Sequence, residues 1–136
     1  MSIIAIVTCP HCRRPSMKVV CIIDDEPSIR KGIANLLKSE GYQPYCFESG
    51  ANFLMSSWMI HADCLLLDMR LHGLQGLDVQ RVLREQGNPL PVICMSAQAD
   101  ERTVKRSIHA GASDFLSKPF TAEVLLQVLA AVLKDR

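Results

Sequence analysis

Three carboxylates, Asp24, Asp25 and Asp68, one hydroxyl, Ser96, and one ammonium, Lys118, each follow directly on a short apolar run of this 136-residue sequence. Carboxylates gathered in one place repel one another and do not all ionise cheaply unless a cation joins them. Hard oxygen ligands with room for water suit Mg²⁺, which is commonly held by one or two carboxylates together with phosphate oxygens. In such a set Asp68 is the candidate nucleophile: a carboxylate is already deprotonated at pH 7 and attacks phosphorus without a general base, becoming an aspartyl phosphate. Asp24, Asp25 and Asp68 then hold the metal, Lys118 contacts the phosphoryl oxygens from the other side, and Ser96 offers a hydroxyl. Taken singly each residue has an ordinary explanation, as a helix cap, a turn residue or a surface charge. Their recurrence in order at successive strand ends carries the reading.

The elements that must position these groups alternate regularly. Val19–Ile23 is a continuous apolar run, the pattern of a strand covered on both faces, and it ends in Asp24-Asp25-Glu26. Pro27 suits the first turn of a helix that carries Ile29, Ile33, Leu36 and Leu37 at helical spacing and ends at Gly41. A second strand spans 42–47, with Pro44 placing it at or near an edge. One short helix follows from Ser49 through Trp58. Cys64–Leu67 is a buried central strand delivering Asp68, and a helix from Gly76 to Gln86 follows the loop after it. A fourth strand spans 90–95 and ends at Ser96-Ala97. A helix opened by Asp100 carries Val104 and Ile108, a fifth strand spans 113–116, and Thr121 caps a last helix to about Lys134. Five strand–helix alternations with short, right-handed connections predict a doubly wound α/β fold: a parallel five-stranded sheet with five helices on its two faces. In such sheets the carboxyl ends of the strands form the ligand crevice, which is where the five groups emerge.

Composition sets outer bounds. The length suits one domain, 49% of residues are hydrophobic and the formal net charge is +1. Residues 1–16 contain Arg13 and Arg14 and no acid, so from Met17 onward 13 basic residues face 14 acidic ones, no overall electrostatic footprint for nucleic acid. Of six cysteines, Cys21, Cys64 and Cys94 sit inside apolar runs where the thiol acts as a small hydrophobe, which points to a reduced, cytoplasmic protein. The apolar run Ile3–Val7 is too short for a signal-peptide core or a membrane span. Residues 1–16 differ from the rest and read as a leader or tail. Their Cys9-x-x-Cys12 pair with His11 leaves half a zinc site or a redox pair open, although no second ligand pair at finger spacing follows.

The segments Asp24-Asp25-Glu26, Asp68-Met69-Arg70-Leu71 with Gly76, Ser96-Ala97, and Gly111-Ala112-Ser113-Asp114-Phe115-Leu116-Ser117-Lys118-Pro119-Phe120 together resemble the receiver domain of two-component response regulators. The finer texture is most similar to the FixJ-type transcriptional regulators, whose full-length members carry a helix-turn-helix DNA-binding domain after the receiver. The resemblance covers residues 18–134, so the expected organisation is a leader over 1–16 and a receiver domain over 17–136. It implies a flavodoxin-like sheet of order 2-1-3-4-5. Asp68 matches the phosphoacceptor, Asp24 and Asp25 the acidic pair that binds Mg²⁺, and the backbone carbonyl of Arg70 the group completing the metal site. Lys118 matches the family's lysine, with a cis Lys118-Pro119 bond, and Ser96 and Phe115 match the switch pair. The implied function is a phosphorelay receiver: a histidine kinase supplies a phosphoryl group to Asp68, and protein contacts change in response. Transcription would be controlled through an output domain absent from this chain. The domain then catalyses only its own phosphorylation and dephosphorylation and is not otherwise an enzyme.

His72 stands four residues after Asp68, where many receivers have Pro, and reads as an exposed loop residue. Arg70 and Gln98 flank the site. The last helix carries Val124, Leu125, Leu126, Val128, Leu129, Val132 and Leu133 over roughly 200° of its surface, wider than sheet packing needs, so the last two helices and fifth strand are expected to offer a homodimer or effector contact. Contact with DNA is expected only through the missing domain, and none with membrane. Two rival readings remain: a phosphorylation-independent interaction domain, which usually lacks one of these key residues, and an aspartyl-phosphate phosphatase of the haloacid-dehalogenase kind. The phosphatases place Asp-x-Asp-x-Thr after the first strand, whereas this chain has Asp24-Asp25-Glu26-Pro27 there.

Overall fold

A computed structural model describes residues 17–134, so the leader read over 1–16, with Cys9 and Cys12, lies outside the described residues. Five strands, β1 (Val19–Ile23), β2 (Gln43–Phe47), β3 (Cys64–Asp68), β4 (Val92–Ser96) and β5 (Asp114–Ser117), pair in parallel in the order β2-β1-β3-β4-β5. The expected 2-1-3-4-5 sheet is what the chain forms, and Pro44 lies on edge strand β2, opposite Val20. Among the described residues six helices pack around it: α1 (Pro27–Ser39), α2 (Gly50–Leu54), α3 (Trp58–His61), α4 (Gly76–Glu85), α5 (Glu101–His109) and α6 (Ala122–Leu133).

The expectation of five helices is corrected at the second. Ser49 caps it as expected, accepting from the Asn52 N–H, but the helix stops at Leu54. The Ser56 N–H and hydroxyl both turn back to the Phe53 carbonyl, at 3.0 and 2.7 Å. A serine side chain that competes for backbone acceptors in this way closes the turn. The chain restarts at Trp58, whose ring stacks on Tyr45 of β2 with centroids 4.0 Å apart.

Strand side chains alternate between two faces. Val20, Ile22, Cys64, Leu66, Ile93, Met95 and Leu116 pack with Ile33 and Leu37 of α1 and with Leu125, Leu129 and Leu133 of α6. Val19, Cys21, Ile23, Leu65, Leu67, Val92 and Cys94 pack on the opposite face with Phe53, Val79 and Leu83. Burial pushes the Cys21 and Cys94 thiols up to about 12, as befits inert core groups. On helix α5, Ile108 is 45% exposed while Ser107 is fully buried. The reason is its neighbour, since Gln80 of α4 is itself buried and donates to the Ser107 carbonyl at 3.0 Å, an approach that needs a small residue on α5.

Candidate functional site

Because alternation continues past the strand ends, Asp24 after Ile22, Asp68 after Leu66 and Lys118 after Leu116 prolong rows of the α1/α6 face. They meet over the carboxyl edge of the sheet. Lys118 Nζ lies 2.9 Å from Asp24 Oδ2 and 3.2 Å from Asp68 Oδ2. Asp24 is fully buried and Asp68 nearly so. Asp25 is partly exposed, and one carboxylate oxygen from each of Asp24, Asp25 and Asp68 lies within 4.8 Å of the others.

Backbone donors hold the acids in place. Asp24 Oδ1 accepts from the Glu26 N–H and Asp68 Oδ1 from the Arg70 N–H, both at 3.0 Å. The loop after Asp68 is braced in turn, because Gln75 exchanges hydrogen bonds with the backbone of Leu71 and its own N–H donates to Asp78 at 2.9 Å. Gly76 is needed where α4 starts. A Cβ there would lie 2.8 Å from Met69 Cα and 3.0 Å from the Asp68 carbonyl oxygen. Lys118 is oriented by its N–H, which donates to the Ser96 carbonyl at 2.9 Å, and the Lys118–Pro119 bond that follows is cis, as expected.

Burial raises the Asp68 carboxyl above its ordinary range, and the neighbouring Asp24 charge adds to the rise. The Arg70 N–H and Lys118 offset only part of it. Burial works against the Lys118 ammonium, but the Asp24 hydrogen bond and the two carboxylate charges outweigh it and the net shift is upward. Three carboxylates against one ammonium leave an excess negative charge on hard oxygen donors. That donor set fits a divalent cation such as Mg²⁺, with Asp24, Asp25 and Asp68 as the residues to hold it.

Other expected site residues are placed as follows. Ser96 is buried at the end of β4, and its Oγ accepts from the Gln98 N–H at 3.0 Å. Phe115 is half-buried against the apolar cluster on the sheet face opposite the α1/α6 face. Arg70 reaches across the mouth and its guanidinium donates to Gln98 Oε1. His72 is almost fully exposed, as read, yet its Nδ1 lies 3.4 Å from Asp25 Oδ2, a contact that sequence spacing did not signal. Beside Lys118, an apolar groove of about 610 Å³ runs between α1 and the turn into α6, lined by Ile29, Ile33, Leu36, Phe120 and Leu125 among others.

Comparison with known proteins agrees with this geometry. Residues 20–130 match the model of the response regulator receiver domain, and the chain belongs to that family. It is 38% identical over 116 residues to the response regulator protein TmoT of Ectopseudomonas mendocina, covering 85% of this chain and 53% of that protein. Nodulation protein W of Bradyrhizobium diazoefficiens is 36% identical over 127 residues, 93% of this chain and 56% of that one. The chain thus spans about half the length of the curated relatives it matches. Among solved structures, chemotaxis protein CheY4 of Vibrio cholerae superposes with a TM-score of 0.81 at 25% identity, over 87% of this chain and all of CheY4. No helix among the described residues is long and apolar enough to cross a membrane.

Proposed function

We propose that the chain is a phosphorelay receiver whose Asp68 takes a phosphoryl group from a histidine kinase in a Mg²⁺-dependent reaction and thereby changes its protein contacts. The observation that carries the reading is the meeting of Asp24, Asp25 and Asp68 within 4.8 Å, with Lys118 Nζ between Asp24 and Asp68. An Asp68 carboxylate oxygen forms the new bond to phosphorus, the donor's nitrogen–phosphorus bond breaks, and its electron pair returns to the imidazole. Lys118 supplies a fixed positive charge to oxygens that become more negative during transfer. The metal, when bound, neutralises charge on the transferring group and on its carboxylate ligands. The backbone carbonyl of Arg70 completes that metal site.

Ser96 and Phe115 form the switch. The Ser96 hydroxyl turns from the Gln98 N–H toward the phosphoryl oxygens, and the ring of Phe115 moves inward behind it. Phosphorylation shifts this equilibrium only as far as the phosphoryl group contacts Ser96 and Lys118 better in one arrangement. The kinase approaches over the apolar groove beside Lys118, which is lined by Ile29, Ile33, Leu36 and Phe120 and reaches Lys118 itself. We assign residues 17–136 to the receiver and place the chain with the FixJ-type regulators, acting in the cytoplasm. Its output is transcriptional through a separate DNA-binding domain, and dimerisation uses α5, β5 and α6.

Intact mass after incubation with Mg²⁺ and acetyl phosphate tests the chemistry. The expected result is one phosphoryl adduct on the parent, none on Asp68→Asn and none in EDTA. No adduct on the parent, with Mg²⁺ binding demonstrated, overturns it in favour of a phosphorylation-independent interaction domain. Steady turnover of a generic phosphate ester would instead make the protein a phosphatase.

A further inference from the structure

The near-neutral charge of the chain conceals a strong local asymmetry. Three hollows, of about 320, 440 and 470 Å³, follow one another along the cleft between α4 and α5, and all three share Leu77. The first opens at the mouth of the Asp68 site between Arg70, Gln98 and Arg106. The next two run down the cleft past Arg84, Lys105 and His109, and past Arg81. Five of the chain's basic side chains and one histidine therefore line a continuous groove in which Glu85 is the one acidic lining residue among the described residues. Asp78 and Glu101 at its borders pair with Arg81 and Lys105. Arg70, Arg84 and Arg106 have no carboxylate partner among the described residues, and all three are exposed.

We infer that the α4–α5 cleft is a docking groove for an acidic, helix-forming segment of a partner protein. Positive charges that find no internal counter-ion leave a surface complementary to carboxylates, and such surfaces steer and select partners. Leu77, half-buried where the three hollows meet, gives the groove an apolar seat for a single side chain. That combination suits an amphipathic helix laid in a groove, with acids beside an apolar anchor. The carboxylates of Glu85, Asp78 and Glu101 interrupt the basic track. They would oppose a continuous phosphate backbone, whereas a folded segment can set its own basic or neutral residues against them. The groove is built from α4 and α5 alone apart from its head, so the inference does not depend on phosphoryl transfer at Asp68.

Fluorescence anisotropy with the full chain and a labelled synthetic helix, bearing a Leu stripe flanked by Glu and about four turns long, tests it. A duplex DNA of matched charge and a Gln-for-Glu version of the helix serve as comparison probes. The parent should bind the acidic helix at low salt and lose affinity toward about 0.15 M. Arg84→Glu with Arg106→Glu should weaken binding at least about tenfold. Lys31→Glu with Lys38→Glu, on α1, changes the net charge equally and should weaken it less than about twofold. Asp68→Asn should bind like the parent. Unfolding midpoints of both double variants within a few degrees of the parent establish that each is folded. Equal loss in the two double variants would overturn the groove in favour of nonspecific charge attraction. Tighter, groove-dependent binding of the duplex would make the partner a nucleic acid, and no binding of the acidic helix at low salt would remove the docking function.

Discussion

The helices on the two faces of the sheet are not all held by the same physics. Helices α1 and α6 meet their face through Ile33, Leu37, Leu125, Leu129 and Leu133, all apolar and buried. Helix α5, on the other face, buries only Ser107 and is tied to α4 by two side-chain-to-carbonyl bonds, Gln80 to Ser107 at 3.0 Å and Arg84 to His109 at 3.3 Å. The chemistry divides along the same line. Asp24, Asp68 and Lys118 prolong the rows of the dry face, whereas Ser96 and Phe115 belong to the rows of the other. Groups that must hold a fixed geometry thus lie on the face anchored by α1 and α6, and the pair proposed to move lies on the face that also carries the polar α4–α5 seam. Polar seams with little apolar burial are where local rearrangement is least costly.

Truncation on the dry face is the largest test of this contrast. Leu129→Ala removes a fully buried side chain between α6 and the sheet and should cost about 3 kcal/mol, read from urea unfolding. A cost under about 1 kcal/mol would show that α6 is not a packed anchor. Gly76→Ala comes next. Its new Cβ meets backbone at Met69 and Asp68, which cannot swing away like a side-chain tip, so a loss of about 2 kcal/mol is expected together with slower phosphoryl uptake at Asp68. Unchanged stability and uptake would mean that the loop after Asp68 is freer than its hydrogen bonds indicate.

How much of this could be read from sequence differs between the faces in the same way. The order of elements, the sheet topology and the convergence of Asp24, Asp68, Ser96 and Lys118 on one edge followed from continuous apolar runs ending in polar residues. A strand buried on both faces leaves little choice. The break at Ser56 was not legible, because it depends on a hydroxyl competing for the Phe53 carbonyl, which helical spacing cannot register. Nor was the orientation of α5: Val104 and Ile108 mark it as a helix, but the partner surface is the Gln80 amide, which admits Ser107. Net charge near zero hid the basic cleft because sums over a chain discard position. The His72–Asp25 approach joins loops after different strands and has no counterpart in local spacing.

Between the faces, the buried acid at Asp68 gives a test of opposite sign. Its carboxyl is raised in the folded state, so its favourable contribution is fully present below the unfolded-state pKa and is lost as pH rises through the folded-state value. At neutral pH without metal, the ionised group therefore weakens the fold. Asp68→Asn should be more stable than the parent by roughly 1 kcal/mol at pH 7 in EDTA. The difference should close as the pH falls into the acidic range, and should narrow at pH 7 when Mg²⁺ is added. A variant less stable than the parent under all these conditions would mean that the Lys118 pair outweighs the burial of the charge.

The smallest effect is expected in the polar seam itself. Gln80 is buried, yet its Oε1 has no partner among the described residues, so its amide combines one good hydrogen bond with one unmet acceptor. Gln80→Met keeps the approximate shape and removes both. The Ser107 carbonyl then still accepts from the Ala112 N–H at 3.0 Å, so no buried group is newly orphaned. Loss of a bond under those terms and removal of an unsatisfied oxygen nearly cancel, and the net cost should stay below about 0.5 kcal/mol. What should change is the freedom of α5, whose amides from 101 to 109 should exchange with solvent faster while those of α6 do not. A stability loss as large as that of Leu129→Ala would make the seam a true part of the core and erase the distinction between the faces. Unchanged exchange in α5 would show that Arg84 and the chain connections alone set its position.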